Sequence, residues 1–209
     1  MTSKYNEAEI VRKVNALFGT GNADSKTLTT THDLAVSLEE LYFGNKTKKL
    51  KITRQRVTCD RKDTREDIKM IEIYIEPGYK PGTKFTFEGE GDEEATSSKA
   101  GDIIVLLQEK KHDRFQRDGD DLIYTKEVNL RAACLGLVFE LVHLSGETLT
   151  VDCTGDIVGN PAYEKVIPGK GMPSRKNVKQ YGNLIIRFQI RWPKTFSSHD
   201  VGVLSKLEM

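Results

Sequence analysis

The chain repeats itself, and that narrows its possible folds more than any other feature. Val36-Ser37-Leu38, five residues and Gly44 return 92 positions later as Val128-Asn129-Leu130, five residues and Gly136. Pro81, seven residues and Gly89-Glu90-Gly91 return 80 positions later as Pro161, seven residues and Gly169-Lys170-Gly171. The run from Gly101 to Gln108 (GDIIVLLQ) returns 81 positions later, from Gly182 to Gln189 (GNLIIRFQ). Three matches in one order and at nearly one spacing mark two copies of the same supersecondary unit. The offset shrinks from 92 to 80, so the first copy contains a loop about ten residues longer. The charged 60–67 stretch is the expected place for it.

Within each copy the local signal is mainly strand. Leu34, Val36 and Leu38 alternate with polar or small residues, as do Leu50 and Ile52, then Ile71, Ile73 and Ile75, then Phe85 and Phe87. A period of two marks half-buried strands. The segment 39–43 (EELYF) is too short for a free helix and predicts one or two helical turns between strands, ended by Gly44. Residues 131–135 before Gly136 are its counterpart. Pro77-Gly78, Pro81-Gly82, Ser145-Gly146 and Pro168-Gly169 are turns. Short strands broken at such intervals predict a mainly all-β chain of two tandem β-sandwich or barrel repeats. The expected divisions are an N-terminal segment 1–30, a first repeat 31–116, a second repeat 117–193 and a short C-terminal helix 194–209. The polar 112–121 stretch, whose one large apolar residue before its end is Phe115, is expected to connect the repeats. Residues 6–18 carry Ile10, Val14 and Leu17 at helical spacing, and 19–30 is expected to be a polar linker.

The bulk composition excludes several classes of function. In a chain of 209 residues, 37% hydrophobic and 30% charged content is lean for one thick core and ample for two thin ones. Lys and Arg exceed Asp and Glu by one, so no global field draws the protein to nucleic acid or an anionic membrane. The longest strictly apolar runs, such as Ile103–Leu107, fall far short of the roughly 20 residues of a membrane helix. The N-terminus lacks the apolar core of a signal peptide, and Cys59, Cys134 and Cys153 are odd in number and far apart. These features predict a cytosolic protein without disulfide scaffold or zinc site. The four histidines, His32, His112, His143 and His199, are scattered. Residues 20–27 imitate a phosphate loop only superficially, because Thr20 and Ser25 stand where glycines are required. No catalytic constellation appears, and the expectation is a non-enzyme without cofactor or metal.

Several runs carry a family resemblance. They are 33–44 (DLAVSLEELYFG), 77–84 (PGYKPGTK), 101–104 (GDII), 112–124 (HDRFQRDGDDLIY), 168–173 (PGKGMP) and 182–186 (GNLII). In identity, order and spacing they resemble the C-terminal region of type II, zinc-free DnaJ-family (heat-shock-protein-forty) co-chaperones. The likeness covers roughly residues 30–195, and the lack of Cys-x-x-Cys-x-Gly-x-Gly repeats sets the chain apart from zinc-bearing type I members. The resemblance implies a substrate groove on the first of two β-sandwich barrels and a C-terminal helix that makes a homodimer. It also implies binding of unfolded polypeptides and of the acidic C-terminal tail of the seventy-kilodalton heat-shock chaperone. No histidine is followed by Pro-Asp, so this stretch has no J-domain signature and is not expected to stimulate the partner's ATPase by itself. Residues 1–28 resemble nothing in the family.

The resemblance also assigns residues. Leu34, Leu50 and Ile52 fall where family members place apolar groove residues, whereas Val36 and Leu38 read as ordinary core. Phe115 matches a position that packs against the groove. His32 stands where many members carry an aliphatic, so the groove edge is expected to be more polar. Lys48 and Lys51 match anion-contacting lysines, and Lys69 joins them on charge and proximity alone. A basic strand also has a plainer use, since charge deters edge-to-edge aggregation. Val201, Leu204 and Leu207 form the apolar stripe of the expected dimerisation helix. The competing reading is a dimeric scaffold of the same fold that binds no client.

Overall fold

The computed structural model describes residues 29–58, 62–94, 99–160, 162–177, 179–195, 197–198 and 201–202. The helix expected over 6–18 lies outside these residues, as do Leu204 and Leu207. Val201 sits in a short helical turn and is exposed.

The elements of the first repeat are β1 (Thr30–Val36), α1 (Leu38–Phe43), β2 (Lys46–Val57), β3 (Thr64–Ile75), β4 (Lys84–Phe87) and β5 (Ile103–Glu109). A short strand, β6 (Phe115–Asp118), follows. The second repeat then runs β7 (Asp121–Asn129), α2 (Leu130–Leu135), β8 (Val138–Val142), β9 (Thr148–Asp152), β10 (Glu164–Ile167) and β11 (Leu184–Arg191). The sheets carry the same correspondence. β1, β5 and β4 lie side by side in that order, and β7, β11 and β10 take the equivalent places in a four-stranded sheet ordered β10-β11-β7-β6. β7 and β11 pair in parallel from Leu122–Leu184 to Asn129–Arg191. β2–β3 and β8–β9 form separate two-stranded sheets. The chain is mainly all-β with brief helices, as the alternation predicts.

Each six-residue helix is too short to hold itself and relies on its cap and its buried face. The Ser37 hydroxyl accepts the Glu40 amide at 3.3 Å while the Glu40 carboxylate accepts the Ser37 amide at 3.1 Å, a complete capping box. Asn129 caps α2 by accepting the Ala132 amide at 2.8 Å. Leu38 and Leu41 anchor α1, and Ala133 anchors α2. Both helices end at glycine with φ 60°, ψ −149° at Gly44 and φ 77°, ψ 176° at Gly136. That region of the backbone map is essentially closed to other residues. A Cβ at Gly44 would also stand 2.3 Å from Pro77 Cδ, and one at Gly136 1.9 Å from the Cys153 carbonyl oxygen. The recurrent glycine thus has one physical cause in both repeats.

Two expectations are corrected. The extra length of the first repeat is not mainly a charged loop: β2 and β3 have twelve residues each against five in β8 and β9, and residues 64–67 belong to β3. Charged residues are tolerated there because Arg54 pairs with Asp67 at 2.8 Å. The 112–121 stretch is likewise not just a connector, because residues 115–118 form β6 at the edge of the second sheet. Phe115 and Arg117 turn inward there while Gln116 and Asp118 face solvent.

The chain divides into two compact units. One contains residues 29–30, Arg54–Asp67 and Thr86–Ile103, and is rich in ion pairs. Arg54 meets Asp67 and, at 2.6 Å, Glu90, and Arg56 meets Glu93. The other contains Thr31–Thr53, Ile68–Phe85 and residues from Ile104 onward. Its core includes Val36, Leu38, Leu41, Ile75, Val105, Leu107, Leu122, Met172, Leu184 and Ile186, all fully buried. Among the described residues no helix is long and apolar enough to cross a membrane, and no cluster of His, Cys, Asp and Glu could hold a metal.

Candidate functional site

β2 has one paired edge, toward β3, and one outer edge. The outer edge is closed near its end. There the Gln55 carbonyl accepts the Glu93 amide at 2.9 Å, the Gln55 amide donates to Asp92 at 2.7 Å, and the Val57 amide donates to Glu93 at 3.1 Å. On the opposite edge the Thr58 amide donates to the Asp63 carbonyl across the hairpin. In an extended strand the N–H and C=O of one residue share an edge, and successive residues alternate between edges. Odd-numbered residues of β2 therefore present their backbone groups outward. Along Thr47, Lys49, Lys51 and Thr53 nothing among the described residues pairs with that edge.

The two faces of the same segment differ in chemistry. Lys48, Leu50 and Ile52 lie on one face, half-buried, half-buried and buried. Thr47, Lys49, Lys51 and Thr53 lie on the other, all exposed. On β3 the exposed face is carried by Ile68, Met70, Glu72 and Tyr74, and Lys49 reaches Glu72 at 2.8 Å. The open edge thus has an apolar side headed by Lys48 and a basic side with apolar residues beside it.

The residues assigned from the sequence are distributed unevenly about this edge. Leu34 on β1 is buried, at 6% exposure, and Ile52 at 3%. Leu50 is the half-buried member of the apolar set. His32 is half-buried on β1, with its Nε2 shielded and unpartnered among the described residues. Phe115, 3% exposed, is packed among His112, Tyr124 and His143 at ring distances of 5.5, 5.7 and 6.2 Å. It belongs to the core of the β6 region and lines the cavity along β7. Lys48 and Lys51 fall on opposite faces of β2, and Lys69 is half-buried on β3.

Most of the basic run already has internal partners. Arg54 and Arg56 are held as described, Lys49 by Glu72, and Lys48 by Glu40 at 2.7 Å. Lys51 has no carboxylate partner among the described residues. Burial by itself would raise the Glu40 carboxyl. Hydrogen bonds from Lys48 and the Ser37 amide, with the charges of Lys48 and Lys46, outweigh it and hold Glu40 below the ordinary carboxylate range.

Two features escaped the sequence reading. His143 is 2% exposed and fully engaged: Nε2 donates to the Lys170 carbonyl at 2.9 Å, and Nδ1 accepts the Ser145 amide at 3.2 Å. Arg117, nearly sealed from solvent, donates to the Tyr79 and Gly119 carbonyls at 2.7 Å each. Asp118-Gly119, with φ 62° at the glycine, was the available signal, since Asp-Gly between two alternating runs marks a hairpin. A cavity of about 1030 Å³ lies along this region between the 111–114 turn and β7. Its lining sets Lys111, Arg114, Arg117 and Lys126 against Glu109, Asp113 and Glu127, and Arg117 is already held by Glu109 and two backbone carbonyls, so it offers little net attraction to an acidic ligand.

Comparison with known proteins agrees with this architecture. A family model described as the DnaJ C terminal domain matches residues 30–193. The chain is similar to the human protein DnaJ homolog subfamily B member 5, with 38% identity over 162 residues that cover 78% of this chain and 45% of the relative. Protein psi1 of Schizosaccharomyces pombe is 40% identical over 163 residues, 78% of this chain and 42% of that one. Protein SIS1 of Saccharomyces cerevisiae is 35% identical over 165 residues, 79% and 45%. The chain spans less than half the length of these relatives.

Proposed function

The chain belongs to the DnaJ C-terminal domain family of co-chaperones, and on that premise we propose that it binds extended polypeptide as an added strand along the outer edge of β2. The observation that carries the reading is the open edge at Thr47–Thr53, flanked by an apolar face on one side and a basic face on the other. Unfolded client segments offer backbone groups to the edge and apolar side chains to Leu50. The acidic tail of the seventy-kilodalton heat-shock chaperone offers the same backbone and adds carboxylates for Lys51 and Lys48. Main-chain bonds supply affinity in such strand addition, and alternate side chains supply selectivity. Leu34 and Ile52 act from beneath, as a rigid floor, and His32 keeps the margin polar.

Affinity should be modest. Each backbone hydrogen bond nets about 0.5–1.5 kcal/mol, a Leu-sized side chain leaving water about 1.5–3 kcal/mol, and an exposed ion pair about 0.2–1 kcal/mol. After the loss of translational freedom this corresponds to micromolar binding, about −8 kcal/mol. Two copies joined through the segment bearing Val201, Leu204 and Leu207 would bring two weak edges to one unfolded chain and gain avidity. The setting that fits this work is the cytosol, with the chain as an adaptor rather than an enzyme.

The test is a fluorescence titration of an acidic peptide ending Glu-Glu-Val-Asp, at low and high salt, against the wild-type chain and Leu50→Asp. Saturable micromolar binding that weakens with salt and is lost in Leu50→Asp supports the reading. Equal affinity of the two proteins removes Leu50 from the site. Absence of binding in the wild type moves the function toward a client-only holdase or a dimeric scaffold.

A further inference from the structure

Lys48 already carries a carboxylate. Glu40 Oε1 lies 2.7 Å from Lys48 Nζ and 3.8 Å from Lys46 Nζ, while Glu40 Oε2 accepts the Ser37 amide at 3.1 Å. One side chain therefore closes the cap of α1 and neutralises Lys48, the charge next to Leu50 on the apolar face of β2. The pair is partly shielded, with Glu40 16% and Lys48 29% exposed, against 57% and 64% for Glu72 and Lys49. Shielding strengthens the attraction between the two charges. The anchoring of Glu40 in the helix cap fixes the carboxylate beforehand, so little rotamer freedom is lost in forming the pair.

We propose that Glu40 is a built-in competitor at the acidic-peptide site, holding Lys48 where a ligand carboxylate would bind. The proposal rests on the reading that acidic peptides bind along β2. Lys51, exposed and without a carboxylate partner among the described residues, receives the first ligand carboxylate. A second ligand carboxylate reaches Lys48 only by displacing Glu40. Apolar clients make no demand on Lys48 and are indifferent to Glu40. Glu40 thus penalises acidic ligands alone and sets how many carboxylates a peptide must carry before it outcompetes an apolar client.

Glu40→Gln tests this directly, because glutamine serves the capping box as well as glutamate but carries no charge. Glu39→Gln is the control. Glu39 lies on the same turn of α1 and pairs with His112 at 3.0 Å, so the change in net charge is equal while Lys48 is untouched. Titrated with the Glu-Glu-Val-Asp peptide at low salt, Glu40→Gln should bind about 1.5- to fivefold more tightly than wild type, the range of one exposed ion pair. The gain should shrink at high salt, and affinity for an uncharged apolar peptide should not change. Glu39→Gln should bind like wild type, and Glu40→Gln should add nothing in a Lys48→Ala background. A thermal melt checks that the cap survives. The proposal is overturned if Glu40→Gln binds the acidic peptide no more tightly than wild type, or if Glu39→Gln gains as much. Those results leave peptide binding itself intact. Absence of saturable binding by folded wild type and both variants would instead remove the reading beneath, and this inference with it.

Discussion

Replacing Lys51 by proline separates the backbone of β2 from its charge. The Lys51 amide points to the outer edge, as the outward bonds of Gln55 and Val57 two and three alternations further on require. Proline there removes no ladder bond to β3, and edge strands tolerate it. Lys51→Ala removes only the charge and should weaken an acidic peptide about 1.5- to fivefold. Lys51→Pro removes the charge and one N–H that would donate to the added strand. The difference between the two variants is one backbone hydrogen bond, about 0.5–1.5 kcal/mol, or roughly two- to twelvefold in affinity. An uncharged extended peptide should show the same difference, since the bond is to backbone. Ile52→Pro gives the contrast, because its amide faces β3 and its loss should melt the hairpin. Fluorescence polarisation gives the affinities, and thermal melts show which variants are folded. Equal affinities for folded Lys51→Pro and Lys51→Ala would refute strand addition at this edge. A Lys51→Pro protein as destabilised as Ile52→Pro would refute the assignment of which amides face outward.

Two further predictions concern the framework. Gly136→Ala adds a clash with the Cys153 carbonyl to a left-handed backbone, whereas Gly82→Ala, at φ 82° with open space around its Cβ, adds the backbone strain alone. Denaturant unfolding should show Gly136→Ala as the costlier by at least about 1 kcal/mol, and equal costs would contradict the close approach behind the repeat glycine. Burial lowers the pKa of His143 below its ordinary 6.5, and a second proton on its Nδ1 would break the bond that this atom accepts from the Ser145 amide. The unfolded chain therefore binds the proton more readily, so this contribution is complete above pH 6.5 and declines as the pH falls from there toward the lower folded value. Urea midpoints measured from pH 7.5 to 5 should fall less steeply in His143→Gln than in wild type, and identical slopes would dismiss His143 as an acid-sensitive site.

The legible part of the fold was whatever a repeat or a period of two encodes. Leu34 and Val36, or Ile71, Ile73 and Ile75, alternate because one face of each strand is buried. Gly44 and Gly136 recur because a side chain would strike Pro77 in one repeat and Cys153 in the other. The length of β2 and β3 was hidden because Arg54, Arg56 and Asp67 look like loop residues until their partners are seen. β6 was hidden by its own polarity, since an inward Arg117 bonded to backbone carbonyls does not resemble a core position. At the site, resemblance marked Lys48, Leu50, Ile52 and Lys51, and the alternation of β2 then divided them between two faces. Glu40 carried no signal as a site residue, because S-x-x-E reads as a helix cap and its second bond joins separate elements.

The central claim, that polypeptide adds to the outer edge of β2, is most directly tested by residue-resolved amide hydrogen exchange with and without saturating acidic peptide. The amides of Lys49, Lys51 and Thr53, open to water in the free chain, should become protected in alternation, while those of Leu50 and Ile52, already bonded to β3, should change little. Unaltered exchange along β2, with new protection only in other strands, would contradict the account.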